Sequence, residues 1–273
     1  MSCSVIIKTH NSERFIEKVL HSIAKQTMAA DEVVIVDSAS KNSSYLDSYQ
    51  NATTHIYTTQ EDIGFCKGNN LGYSKILPSS KYVLFLNPDA FLTPKTLEQC
   101  HHFMEANPSV GALTGALFQY NINDNKPTGA YDSTGVFRKW YGYWYDRDQG
   151  KETSRSIYTK SEQVPAICGA FMYCRRQALE EVILGGSQVF DESFFMYKED
   201  IDLSWRLQQK GWKLVFDPSI TIHHCRGWQK RGQVPRKYRL LSARNEWILH
   251  KKMSSPCMVY SALKYLSVKW FDL

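Results

Sequence analysis

Apolar residues fall along the first third of the chain in two alternating rhythms. Residues 4–8 (SVIIK) and 32–37 (EVVIVD) are short, nearly continuous apolar runs rich in Val and Ile. Strands covered on both faces read this way. Between them Phe15, Ile16, Val19, Leu20 and Ile23 recur at helical spacing, with Asn11 or Ser12 placed to cap the helix. The rhythm then repeats. A short strand at 54–57 leads to a Gly- and Asn-rich loop at 64–72 that runs into a helix. A strand at 82–86 (YVLFL) leads to a helix at 94–106 opening on Pro94. Strand alternating with helix predicts an α/β domain with a mostly parallel central sheet and helices on both faces.

Residues 118–163 lose both periods. They are polar and aromatic, with a WYGYWY run at 140–145, and read as a long insertion or lid over a cleft. Regular structure resumes at 166–174. A helix at 199–209 and strands at 213–216 and 220–224 follow. From Pro235 the chain reads as helical, with a break near Pro256. The expected organisation is one domain over 1–225, split into halves at 117/118, and a C-terminal helical tail over 226–273.

Composition narrows the class. The chain has 273 residues, 43% hydrophobic and 22% charged, enough for one well-packed soluble core. It holds no run of eighteen apolar residues, so no membrane span is expected. Its start lacks the basic, apolar and small-residue segments of a secretion signal. The seven cysteines are scattered, with no CxxC pair. That pattern suits free thiols in a reducing cytoplasmic setting. Charge is uneven. Residues 226–273 carry eleven Lys+Arg against two Asp+Glu, a net +9, which leaves −3 for the rest of a +6 chain. Such a tail suits phosphate groups or an anionic membrane surface. Nucleic acid is not expected, because no recognition fold accompanies the charge. Mixed with Tyr and Trp, the tail reads as a peripheral anchor on the inner face of the cytoplasmic membrane, or as a helix packed on the domain with a solvated face.

In open α/β sheets ligands bind beyond the carboxyl ends of the strands. Asp37, the Asp62–Gly64 turn and the Asn87-Pro88-Asp89 turn all fall at such ends. One strand-end Asp is commonly just a turn former. Three at one edge point to a site, and a carboxylate such as Asp89 with substrate phosphates commonly holds Mg²⁺ or Mn²⁺. Glu199, Asp200 and Asp202 crowd a helix N-terminus, where the dipole favours acids, and Asp202 is spaced to pair with Arg206. Asp200 follows the apolar run 194–197, which brings a carboxylate to a dehydrated place suited to a general base. His223 and His224 end an alternating strand, so one points inward, as a core histidine or a metal ligand.

As a set these motifs resemble glycosyltransferase family 2 and its GT-A fold, nearest to bacterial rhamnosyltransferase-like members. The matching stretches are 5–12 (VIIKTHNS), 34–40 (VIVDSAS), 62–72 (DIGFCKGNNLG), 87–89 (NPD), 168–176 (CGAFMYCRR), 191–206 and 224–227 (HCRG), with Asp132–Gly135 and Asp146–Gly150 between them. The resemblance implies donor contacts from Thr9, Asp37, Asp62, Gly64, Lys67, Asn70, Asn87 and Asp89. Asp89 is the last residue of the family's DxD metal motif, with Asn87 in place of the first Asp. That leaves one carboxylate for Mg²⁺ or Mn²⁺, so either His224 is a second ligand or metal dependence is weaker. Asp200 stands where the family has its catalytic base. Trp140 and the aromatic stretch on to Tyr145, with Asp191 and Glu199, are expected to face the acceptor. Lys230 and Arg231 either close over the phosphates or form a solvated basic loop. The implied activity is inverting transfer from a nucleoside-diphosphate sugar, dTDP-rhamnose or a UDP-sugar, to a glycan or lipid-linked acceptor in bacterial surface polysaccharide assembly. Two other readings compete. A sugar nucleotidyltransferase calls for a Gly-rich loop after the first strand, where this chain has THNS. A non-catalytic glycan-binding protein on the same scaffold has no need of both Asp89 and Asp200.

Overall fold

The computed structural model describes residues 2–153, 158–226 and 234–271. Lys230 and Arg231 lie outside them. Four strands, β1 (Cys3–Thr9), β2 (Glu32–Ser38), β3 (Thr54–Thr59) and β4 (Tyr82–Leu86), form a parallel half-sheet in the order β3-β2-β1-β4. β1, β2 and β4 are almost wholly buried, which is why their sequences are continuous apolar runs. Helices α1 (Glu13–Ala24), α2 (Gly64–Tyr73) and α3 (Thr96–Ala106) connect and cover them. Ser12 occupies the N-cap of α1, but its carbonyl, not its hydroxyl, takes the first amides. Strand order reverses between β1 and β4, so a crevice opens at their carboxyl ends.

The second half extends the same sheet. β11 (Phe171–Arg175) pairs antiparallel with β4 and with β6 (Val110–Asn121). β6 runs parallel to β12 (Lys213–His224), and β10 (Glu162–Gln163) closes that edge. β5 (Ala90–Leu92) pairs with the end of β12, and β7 (Lys126–Ser133) with the end of β6. The helices α4 (Arg176–Glu180) and α5 (Glu199–Gln209) flank this half. The result is one mixed α/β sheet of ten strands among the described residues, parallel over its first half.

Two expectations are corrected here. The described residues of 118–163 are not irregular. They hold the end of β6, all of β7 and a separate hairpin of β8 (Val136–Arg138) and β9 (Trp144–Asp146). Register shifts between β6 and β7 and the shortness of β8 and β9 break the alternation that would have shown it. A division at 117/118 would cut β6 in two. Likewise, the two strands expected at 213–216 and 220–224 are one strand. A register shift between Asp217 and Thr221 absorbs Pro218, which cannot donate to a ladder. The tail is a helix pair, α6 (Arg236–Lys252) and α7 (Met258–Phe271), with Pro256 in the corner. No described helix is long and apolar enough to cross a membrane.

Candidate active site

A cleft of about 480 Å³ opens beside the carboxyl end of β4. Asn87, Asp89, Asp146, Glu199, Asp200, His224 and Arg226 line it, with Trp144 and Tyr145 as its aromatic wall. Four separate parts of the chain supply these groups.

Asp89 sits in a turn closed by Ala90 N–H donating to Asn87 O at 3.1 Å, with Pro88 at the second position, where its fixed φ suits the bend. The β5–β12 register pairs Ala90 with His224, which carries the His224 ring to Asp89. His224 Nε2 lies 3.2 Å from Asp89 Oδ1, and Nδ1 lies 2.5 Å from Asp132 Oδ2. Burial alone favours a neutral imidazole, but the two carboxylates outweigh it and raise the His224 pKa to about 9. Burial likewise disfavours the Asp89 carboxylate, and the imidazolium holds its pKa below the ordinary value. Arg226 continues the chain of charges, reaching Asp132 Oδ1 at 3.4 Å and Asp146 Oδ2 at 2.7 Å. His223 faces the other way, half-buried beside the Tyr120 ring.

Asp200 stands at the start of α5. The two residues before the helix that are not glycine, Tyr197 and Lys198, are both left-handed, with φ of 72° and 76°. Such backbone costs roughly 1–3 kcal/mol per residue and persists only when its surroundings hold it. Here the buried Asn245 of α6 holds it, donating to Met196 O at 2.8 Å and Tyr197 O at 3.1 Å. Asp200 accepts from Gly169 N–H at 2.9 Å and Ile201 N–H at 2.8 Å. A side chain at 169 would crowd Asp200, its Cβ lying 3.3 Å from that of Asp200. Burial raises the Asp200 pKa, more than the backbone donors lower it. Burial, and then the Asp200 charge, raise the Glu199 pKa to about 8.

The ligand chemistry fits a divalent ion. Two ligands on one octahedral ion, each about 2.1 Å away, stand about 3 Å apart. Asp89 Oδ1 and His224 Nε2 have that separation. The Asp132 contact keeps a proton on Nδ1, so Nε2 is the nitrogen that would give up its proton to face the ion, the usual outer-shell arrangement for a ligating histidine. Among the described residues no three His, Cys, Asp or Glu side chains converge on one point. Asp89 and His224 would therefore be joined by substrate oxygens and water, as is common for Mg²⁺.

The chain matches the family model for glycosyl transferase family 2 over residues 4–183. It belongs to that family. Among curated relatives it is 26% identical to the rhamnosyltransferase WbbL of Escherichia coli K12, over 86% of this chain and 88% of that protein. It is 23% identical to the N-acetylglucosaminyl-diphospho-decaprenol L-rhamnosyltransferase of Mycobacterium tuberculosis, over 81% of this chain and 75% of that protein. Among solved structures it resembles GalNAc-T7 with UDP, GalNAc and Mn²⁺, at a TM-score of 0.71 and 18% identity. That match covers 92% of this chain but about half (48%) of the other. The mannosyltransferase PcManGT of Pyrobaculum calidifontis, with GDP-Man and Mn²⁺, superposes at a TM-score of 0.61 and 17% identity, over 98% of this chain and 71% of that one. The fold is that of the GT-A glycosyltransferases, and the chain is a glycosyltransferase of family 2 with rhamnosyltransferase relatives.

The remaining candidate residues of this glycosyltransferase divide into two groups. Thr9, Asp37 and Asp62 share the carboxyl edge of β1 to β3, next to the cleft's own residues in the sheet but outside its lining. Asp37 is buried and accepts from the Ser40 hydroxyl at 2.5 Å and Tyr45 OH at 3.3 Å, and Tyr45 OH also meets Thr9 Oγ1 at 3.1 Å. Asp62 accepts from Ser38 Oγ and Gly64 N–H and lies 3.7 Å from Lys8. Gly64 has φ of 74°, and a Cβ there would meet the Phe195 carbonyl and ring within 2.8 Å. Asn70, Lys67, Asp191 and Trp140 lie off the cleft. Asn70 is a buried clasp, exchanging hydrogen bonds with the Phe190 backbone at 2.8 and 2.9 Å. Lys67 is exposed on α2. Asp191 is paired with Lys252, which also binds Asp202. Trp140 is 91% exposed at the tip of the β8–β9 hairpin, and the aromatic wall comes instead from Trp144 and Tyr145. Asp132, Asp146 and Arg226 were not singled out from the residue pattern. The two acids sit in stretches that carry only the family resemblance, and nothing local marks Asp132 as a partner of His224 or Asp146 as a partner of Arg226.

Proposed function

We propose that the enzyme is an inverting transferase that moves a sugar, rhamnose or another hexose, from a nucleoside diphosphate to a glycan or lipid-linked acceptor. One observation carries this reading: Asp89 and Asp200, 111 positions apart in the sequence, wall one cleft of diphosphate-sugar size. The rhamnosyltransferase relatives support dTDP-rhamnose as the first donor to try, with UDP-sugars next.

Asn87 and Asp89 meet the donor diphosphate, and Thr9 and Asp37 meet its nucleoside. Asp89 and His224 would hold Mg²⁺ or Mn²⁺, which neutralises charge on a departing diphosphate. Trp144 and Tyr145 offer flat apolar faces to the acceptor sugar, and Glu199, largely protonated at neutral pH, offers it a hydrogen-bond donor. Asp200 takes the acceptor's hydroxyl proton as that oxygen bonds to the anomeric carbon and the bond to the diphosphate oxygen breaks. Attack comes opposite the leaving group, so configuration inverts. Burial makes Asp200 a better base than an exposed aspartate, while its two backbone donors keep it aimed. Seven unpaired cysteines, five of them buried, support a reducing compartment, and the basic tail supports contact with the inner face of a membrane.

A thermal-shift screen of nucleotides and nucleotide sugars, with and without Mn²⁺, tests the donor site, since binding raises stability by mass action. Transfer assays with wild type and Asp200→Asn test the chemistry. Undiminished turnover by the variant removes Asp200 as base.

A further inference from the structure

The C-terminal helix α7 is packed with its polarity reversed. Ser261 and Val268 are the buried positions, and Lys264 turns inward to an ion pair with the buried Glu246 of α6. Val259, Leu263, Leu266 and Trp270, spaced four, three and four apart, share the opposite side. Their side chains are exposed, Leu263 by 62% and Trp270 by 70%. A surface helix in water carries its apolar stripe inward. An outward stripe of this length belongs against something other than water.

The β8–β9 hairpin packs against the start of α7. The hairpin tip is a tight turn, closed by Lys139 N–H to Tyr143 O and Gly142 N–H to Lys139 O, and it lifts Trp140 into solvent. The turn is clamped to the helix pair. His250 Nε2 donates to Gly142 O at 2.9 Å, the Tyr141 and Tyr260 rings meet at 5.1 Å, and a Cβ on Gly142 would lie 2.5 Å from Cys257 Cβ. Residue 142 has φ of 108°, so glycine is required there on both counts.

The surrounding charge selects the partner. α7 contains no acid, and the one acid of α6, Glu246, is buried. Arg138 and Lys139 of the hairpin, Lys251 of α6 and Lys269 of α7 are exposed, and Lys269 lies over the Trp270 ring. Aliphatic side chains at the centre, with Trp and cations at the rim, fit the interfacial zone of an anionic bilayer. A second copy of this basic surface would bring like charges together.

We propose that the outer face of α7, with Trp140 at the hairpin tip, is a docking surface for an anionic lipid bilayer. This rests on the membrane contact proposed above and assigns it to named residues. It also has a consequence for the cleft. The same hairpin that ends at Trp140 carries Trp144, Tyr145 and Asp146 into the cleft wall, so docking sets the cleft beside the headgroups. A sugar carried on a membrane-anchored diphosphate then reaches Asp200 without leaving the lipid surface.

The test is co-sedimentation of the full chain with vesicles of phosphatidylglycerol and phosphatidylethanolamine, and with phosphatidylcholine alone. Binding to the anionic vesicles is expected to be at least about tenfold stronger and to weaken with salt. Leu263→Glu with Leu266→Glu should cut it by about tenfold or more, and Trp140→Ala by a few-fold. Unchanged circular-dichroism melts would show these surface variants to be folded. If wild type ignores anionic vesicles, the membrane reading and this surface both fall. If wild type binds and the variants bind equally well, the membrane contact stands and this surface is overturned. A dimer dispersed by the Leu263/Leu266 pair, with no vesicle binding, would assign the face to a second copy and overturn the proposal.

Discussion

Two acidic regions lie along one edge of the sheet, and they are built to opposite specifications. Around Asp37 every polar group is answered. Its oxygens take the Ser40 hydroxyl, the Ser40 amide and Tyr45 OH, and Tyr45 in turn meets Thr9. In the cleft, Asp146 Oδ1 and Glu199 Oε2 are buried without a hydrogen bond among the described residues. A satisfied network holds one shape, whereas buried carboxyl oxygens without a partner cost stability and keep capacity for a proton, a cation or a substrate hydroxyl. The first region is suited to recognition and the second to chemistry.

The sharpest way to break this contrast is Asp200→Asn. Transfer should fall by about 10²–10⁴, the range for removing a general base, while the melting temperature and donor-induced stabilisation persist. Steady-state transfer and thermal-shift assays read the two separately, and parallel loss of both would assign Asp200 to structure. Next in size is Asp132→Asn. It leaves both proposed ligands in place but loosens the His224 ring, so Mn²⁺ affinity measured by titration should drop by about 10–100-fold. Nucleotide binding without metal should hardly move. An unchanged Mn²⁺ affinity would separate Asp132 from the ion.

Asp37→Ala addresses the other region. It strands the Ser40 and Tyr45 hydroxyls and should destabilise the fold by about 1–3 kcal/mol in urea titration, with weaker nucleoside diphosphate binding and an unchanged Mn²⁺ response. The remaining test is the pH dependence of Glu199. Its pKa is raised from 4.5 to about 8 in the folded chain. A raised folded pKa contributes stability fully below pH 4.5, and that stability is lost as pH rises through about 8. Wild type should therefore lose melting temperature between pH 5 and 9, and Glu199→Gln, neutral throughout, should lose less. Parallel pH profiles would place the unfavourable charge elsewhere.

Much of the parallel half could be read directly from residue order. The strands at 4–8, 32–37 and 82–86 are local apolar runs, and their partners follow from the crossover rule, so the placing of Asp37 and Asp89 at strand ends needs no distant information. The α5 boundaries and the Asp202–Arg206 pair were equally local, since 2.8 Å contacts at i,i+4 follow from helix geometry alone. The second half was legible only in pieces. Pro218 and the register shift beside it divide β12 in the sequence pattern but not in space. The β8–β9 hairpin has strands of three residues, too short for a period to be seen.

The sequence by itself determined the α/β class, the order of the motifs, the family resemblance and the two carboxylates on which the proposed chemistry rests, because each is written in spacing over a few residues. Only the tertiary structure decided which aromatic residues wall the cleft and that Trp140 points away from it. It alone joined His224 to Asp132, held Tyr197 and Lys198 in place through Asn245, and turned the apolar side of α7 outward. All of these are contacts between segments tens of residues apart or more. Their energies depend on register, burial and charge pairing that exist only once the sheet has closed.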